Sequence, residues 1–217
     1  MTHGKVVLVG AGPGDPELMT MRGHRALQEA DVVLYDNLVG DEILEGLDAE
    51  LIYVGKRCGK HRVPQESTNG LMVRLAREGK LVVRLKGGDP TIFGRGGEEA
   101  IYLAEHGVDY ELVPGISSST SAPSSVRIPV THRGVADGVT IVTAHRRKDE
   151  LDFAIPDYHP RRTLILLMGV GTMPVWSQQL IELGYPADLS VALVERATQD
   201  KERVVITDTA NCVDAAE

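Results

Sequence analysis

Leu81-Val-Val-Arg-Leu-Lys86-Gly-Gly-Asp89-Pro-Thr-Ile-Phe-Gly-Arg95-Gly-Gly-Glu-Glu99 decides the fold. Leu81 to Leu85 is a short, mostly apolar run that reads as a buried strand. The glycine-rich stretch that follows leads into a helix read over Gly97 to His106. Five glycines and one proline between Gly87 and Gly97 let backbone atoms approach a ligand closely. Asp89 can accept a hydrogen bond from an ammonium or from ribose hydroxyls. A loop of this kind at the carboxyl end of a strand is where open α/β sheets bind ligands.

The same strand–loop–helix alternation extends in both directions. Upstream, strands are expected at Lys5–Gly10, Val32–Tyr35 and Glu50–Val54, with helices over about 19–29 and 65–78. Downstream, Val108 to Val113 is the next strand, and Pro114-Gly115 breaks the pattern before a Ser-rich stretch that starts a helix. Further strands are read near 139–143, 163–168, 190–195 and 203–206, and a helix over 173–183 stops at Gly184. This alternation predicts an α/β protein of two lobes, an N-terminal one over 1–113 and a C-terminal one over 114–217. Asn211 to Glu217 reads as the first turn of a helix. An α/β lobe is expected to continue into another strand there, so the C-terminal lobe reads as truncated.

Composition removes several classes of function. The 217 residues carry a net charge of −8 and only 4% aromatics. An acidic surface with few stacking side chains argues against nucleic acid as partner. No apolar run approaches the ~20 residues of a membrane span. The first strand begins within a few residues of Met1, where a signal peptide would need its apolar region. Two cysteines, Cys58 and Cys212, without CxxC spacing fit reduced thiols, and the expected location is the cytoplasm. The seven histidines show no metal-ligand spacing, so no metal is expected.

Two further segments carry chemistry. Gly10-Ala-Gly-Pro13-Gly-Asp15 follows the first strand, and Asp36 ends the second, which superficially fits a dinucleotide loop with its acidic ribose partner. Pro13 has no N–H to offer a phosphate, and Asp15 sets a negative charge where a pyrophosphate would lie. Lys56-Arg57-Cys-Gly-Lys60-His61-Arg62 places four formal positive charges in seven residues of an acidic chain, which suits carboxylate or phosphate binding. Arg22, Arg25, His132, Arg133 and the run His145-Arg-Arg-Lys148 are candidates to extend that patch.

These segments together resemble the tetrapyrrole methylases, over nearly the whole chain. The resemblance rests on Val9 to Pro16, Tyr35 to Val39, Val54 to Arg57, His61 to Glu66, Arg84 to Pro90, Ile92 to Glu99, Val113 to Ile116, Ile128 to Arg133 and Leu167 to Gly169. It is nearest to the members that methylate uroporphyrinogen III. It implies two αβα lobes with a cleft between them, a homodimer, and S-adenosyl-L-methionine as methyl donor. The implied reaction adds methyl groups at C2 and C7 of uroporphyrinogen III, giving precorrin-2, a precursor of sirohaem and cobalamin-type rings. Carried onto matching positions, Asp36 is the implied proton acceptor and Lys56 the proton donor. Donor contacts fall on Pro13, Gly87, Gly88, Asp89, Ile92, Ser117, Ser118, Met168 and Ala197. Arg57, Lys60, His61, Arg95 and Arg133 are read as holding the substrate's carboxylates. The sequence departs from the family pattern at Cys58, Thr91, Ser117 and Ala144. The alternatives are methylation of a later corrin intermediate and, in other classes, an NAD-dependent oxidoreductase or a porphyrin carrier.

Overall fold

The computed structural model describes residues 4–55, 65–145 and 153–216. They divide into two compact units, residues 1–118 and 119–217.

The first unit contains β1 (Lys5–Gly10), α1 (Met21–Glu29), β2 (Val32–Tyr35), β3 (Glu50–Tyr53), α2 (Gln65–Arg77), β4 (Leu81–Lys86), α3 (Gly96–Glu105) and β5 (Asp109–Val113). Its five strands form one sheet in the order β3-β2-β4-β1-β5, with every pairing parallel. Apolar residues on both faces of the central strands explain the continuous runs in the sequence, because helices cover both sides. Val6, Leu8, Val32, Leu34 and Val82 pack with Met72 and Leu75 of α2 and Leu103 of α3. Val7, Val9, Val33, Val83 and Leu85 turn the other way and pack with Leu27 of α1. The register sets Arg84 beside Leu34 and Lys86 beside Gly10, at the carboxyl ends of β2 and β1.

The expected helix over 19–29 begins two residues later, at Met21, because Thr20 caps it. The Thr20 hydroxyl accepts from the Gly23 N–H at 3.1 Å. Between β1 and α1 the chain makes a short 3₁₀ turn, Pro16–Leu18, with Asp15 accepting from the Glu17 N–H. A dinucleotide site needs a helix N-terminus directly behind its glycine loop. Here a 3₁₀ turn stands in that place and α1 starts only at Met21.

The second unit contains α4 (Ser118–Ser125), β6 (Gly138–Thr143), β7 (Arg162–Leu167), α5 (Met173–Glu182), β8 (Ser190–Glu195), β9 (Arg203–Asp208) and α6 (Cys212–Ala215). β6 and β7 pair in parallel, and β8 and β9 form an antiparallel pair. Their core gathers Val142, Phe153, Ile155, Met173, Trp176, Leu180 and Cys212. Burial pushes the Cys212 thiol up, which makes it inert packing rather than a nucleophile.

Candidate functional site

Three loops leave the carboxyl ends of the adjacent strands β4, β1 and β5 and meet backbone to backbone. Gly12 and Gly88 exchange hydrogen bonds, Gly88 N–H to the Gly12 carbonyl at 2.7 Å and the reverse at 3.2 Å. Gly115 lies against both loops. A Cβ on it would stand 2.2 Å from the Gly88 oxygen and 2.7 Å from the Gly10 Cα. No side chain fits at Gly10 or Gly115, whose added Cβ atoms would meet backbone, while Gly12 and Gly88 hold the positive φ that glycine allows.

Asp89 ties the junction together. Its Oδ2 accepts from the Gly115 N–H at 3.1 Å, and its Oδ1 accepts from the Thr91 N–H at 2.8 Å and the Thr91 hydroxyl. The role expected from sequence was acceptance from a ligand. The structure shows that the same carboxylate organises its own loop. Thr91 supplies two of these donors. Beyond it, Ile92 and Phe93 are exposed, and Phe93 and Arg95 adopt left-handed backbone at φ 53° and 60°. Arg95 sits at the N-terminal end of α3, and its guanidinium grips Glu98, with Nε 3.0 Å from Oε2. That hydrogen bond holds the Arg95 guanidinium still more firmly protonated.

Asp36 lies just beyond β2. Its Oδ1 accepts from the Leu38 N–H at 3.1 Å, and its Oδ2 accepts from Arg84 Nη2 at 3.0 Å. Arg84 and Lys86 point to the α3 side of β4, where both reach Glu99, Arg84 Nε at 3.3 Å and Lys86 Nζ at 3.1 Å. Arg84 also donates through Nη1 to the Leu85 and Leu34 carbonyls. Burial lowers the Lys86 pKa, assisted by Arg84 and opposed by Glu99. The sequence reading assigned no role to Arg84, Lys86 or Glu99. The available signal was two cations two residues apart in a buried parallel strand, a place where paired charges are required.

The other expected positions distribute as follows. Pro13 sits between Gly12 and Gly14, both at positive φ, in the β1 loop. Ser117 and Ser118 follow Gly115, and Ser118 opens α4. In the second unit, Met168 follows β7 with φ 60° and is exposed. The adjoining Gly169 carbonyl accepts from Trp176 Nε1 at 2.8 Å. Ala197 follows β8, buried between Arg196 and Thr198, both in left-handed backbone. Arg133 is exposed in the turn closed by the bridge between His132 and Ala136. Lys56, Arg57, Lys60 and His61 lie outside the described residues, as do Cys58 and 146–148. Arg22, a candidate for the basic patch, instead pairs with Glu111 of β5. Among the described residues no His/Cys/Asp/Glu cluster could hold a metal ion, and no helix is long and apolar enough to cross a membrane.

Comparison with known proteins gives these loops a context. Uroporphyrinogen-III C-methyltransferase of Methanocaldococcus jannaschii is 47% identical over 206 residues, spanning 93% of this chain and 85% of that protein. Siroheme synthase of Azotobacter vinelandii is 50% identical over 207 residues, 94% of this chain. The chain spans only about 45% of that protein, and under half of the similar siroheme synthases it matches. A solved structure of uroporphyrin-III C-methyl transferase from Thermus thermophilus, complexed with S-adenyl homocysteine, superposes with a TM-score of 0.83 at 42% identity. It covers 98% of this chain and 92% of that one. Residues 5–212, which hold all three glycine loops and the buried charges behind them, match the Tetrapyrrole (Corrin/Porphyrin) Methylases, and the chain belongs to that family.

Proposed function

We propose that this chain transfers methyl groups from S-adenosylmethionine to C2 and C7 of uroporphyrinogen III, giving precorrin-2. The observation that carries this reading is the 47% identity, along 93% of the chain, to a uroporphyrinogen-III C-methyltransferase that extends little beyond it. The local geometry fits a donor of this kind. Gly88, at φ 68°, has nothing within 4 Å of where a Cβ would stand, so its backbone faces open space beside the tied β1 and β4 loops.

The sulfonium donor is already an activated electrophile, which leaves the protein to orient it and to manage protons. Pro13, Gly87, Gly88, Asp89, Ile92, Ser117, Ser118, Met168 and Ala197 are the proposed donor contacts. Asp36 accepts a proton from the ring system and Lys56 returns one, since carbon methylation of a pyrrole shifts protons. Arg57, Lys60, His61, Arg95 and Arg133 hold carboxylates. For Arg95 this requires the substrate to displace Glu98 or share the guanidinium with it. The division of the work between lobes 1–113 and 114–217, a homodimeric assembly and a cytoplasmic location belong to the same proposal.

Anaerobic incubation of the protein with uroporphyrinogen III and methyl-labelled donor tests it. Mass analysis should show two labelled methyl groups on the pigment. No labelled pigment, with S-adenosylhomocysteine still raising the melting temperature by mass action, would point to another tetrapyrrole as acceptor.

A further inference from the structure

Asp36, Arg84, Glu99 and Lys86 form a chain of four alternating charges, and their exposure is graded. Glu99 is 0% exposed, the Arg84 and Lys86 side chains 6%, and Asp36 19%. Burying such groups is costly, and well-packed apolar side chains of similar volume are often as stable or more so. Stability alone therefore gives a weak reason for this arrangement. The geometry supplies a better one. Arg84 is fixed by the Leu34 and Leu85 carbonyls and by Glu99. Its Nη2 is thus a fixed donor aimed at the most accessible member of the chain, whose other oxygen is held by Leu38.

We infer that Glu99 is a positioning residue for methyl transfer, fixing Asp36 through Arg84, with Lys86 balancing its charge. This rests on Asp36 being the proton acceptor. Glu99 comes from the first turn of α3, beyond the glycine loop that runs from Gly87 to Arg95. The loop and the carboxylate's support are therefore anchored to the same helix. The charged groups linked to Asp36 through these contacts are Arg84 and Lys86 of β4 and Glu99 of α3. Tyr35 and Tyr53, at the ends of β2 and β3, meet edge to face with ring centroids 5.6 Å apart.

Glu99→Gln keeps the shape and removes one buried anion. Turnover should fall at least tenfold, while S-adenosylhomocysteine affinity and the KM for uroporphyrinogen III stay within about threefold. Lys86→Met combined with Glu99→Gln restores neutrality. Turnover there should still be at least tenfold down, and this variant serves if the single one fails to fold. Turnover within twofold of wild type in either variant overturns the inference. So does a loss of turnover accompanied by an equal loss of donor binding, because that pattern marks a merely structural role. Asp36→Asn separates the two readings: wild-type turnover there sinks the assignment of Asp36 as proton acceptor and leaves methyl transfer by the chain intact.

Discussion

Gly115 has no room for a side chain, and the reason lies in two other glycines. Its missing Cβ would fall 2.2 Å from the Gly88 carbonyl oxygen and 2.7 Å from the Gly10 Cα, all of it backbone. Backbone tied loop to loop cannot swing aside as a flexible side chain can, so the three loops would have to separate. Gly115→Ala should therefore destabilise the first unit by roughly 1–3 kcal/mol, read as a lower urea midpoint. S-adenosylhomocysteine affinity should fall with it if the glycine junction holds the donor. Gly70→Ala in α2 is the matched control. Nothing lies within 4 Å of its would-be Cβ, and alanine there should be neutral or stabilising by up to about 1 kcal/mol. Equal behaviour of the two variants would mean that the loops are not closely packed. The glycine loops after β1 and β4 were legible in the sequence as breaks that follow strands. Their mutual contact was not, because it depends on the order in which β4, β1 and β5 lie side by side.

β5 is an edge strand, and charge as well as its ladder holds it to β1. Glu111 accepts from Lys5 of β1 at 2.7 Å and pairs with Arg22 of α1. The Lys5 hydrogen bond, helped by the charges of Lys5 and Arg22, holds the Glu111 carboxyl below the ordinary carboxylate range. A carboxylate depressed in the folded state adds stability above its unfolded pKa, about 4.3, and loses it as pH falls toward the folded value. Glu111→Gln should thus be less stable than wild type at pH 7, by no more than about 1 kcal/mol for so exposed a cluster. The gap should close as pH drops below about 4, as followed by thermal melting. A gap independent of pH would show that the pair contributes nothing through charge. At this scale the sequence was readable wherever apolar runs were long enough. β1, β2 and β4 lie within one residue of expectation, since buried strands announce themselves by composition. The three-residue turns Pro16–Leu18 and Asp41–Ile43 passed unseen, because so short a helix has no periodicity to read. The chain Asp36–Arg84–Glu99–Lys86 passed unseen for a related reason. Its members come from two strand ends and a helix, and only the path of the glycine loop brings residue 99 back over residues 84 and 86.

For the molecule as a whole, the outstanding quantity is charge. The chain carries −8, and the proposed substrate carries eight carboxylates, so the long-range field opposes binding. Local positive charge has to offset it. Of the cations available in the described residues, Arg22 is paired with Glu111, Arg84 and Lys86 with Glu99, and Arg95 with Glu98. The segment Lys56 to Arg62 concentrates four positive charges in seven residues and follows β3 in the sequence. Reversing Arg57 and Lys60 to Glu should therefore raise the KM for uroporphyrinogen III strongly and leave S-adenosylhomocysteine affinity nearly unchanged. Each lost charge-assisted contact is worth about 1.5–3 kcal/mol, or roughly ten- to a hundredfold. Salt should weaken substrate binding more in the wild type than in the reversed variant, because the exposed attraction it screens is gone. Lys56→Met belongs to a different class. As the proposed proton donor it should lower turnover as well as affinity. If the double reversal leaves both the KM and its salt dependence untouched, the segment is an ordinary solvated loop. The carboxylates would then fall to Arg25, Arg133, and the basic run over 145–148.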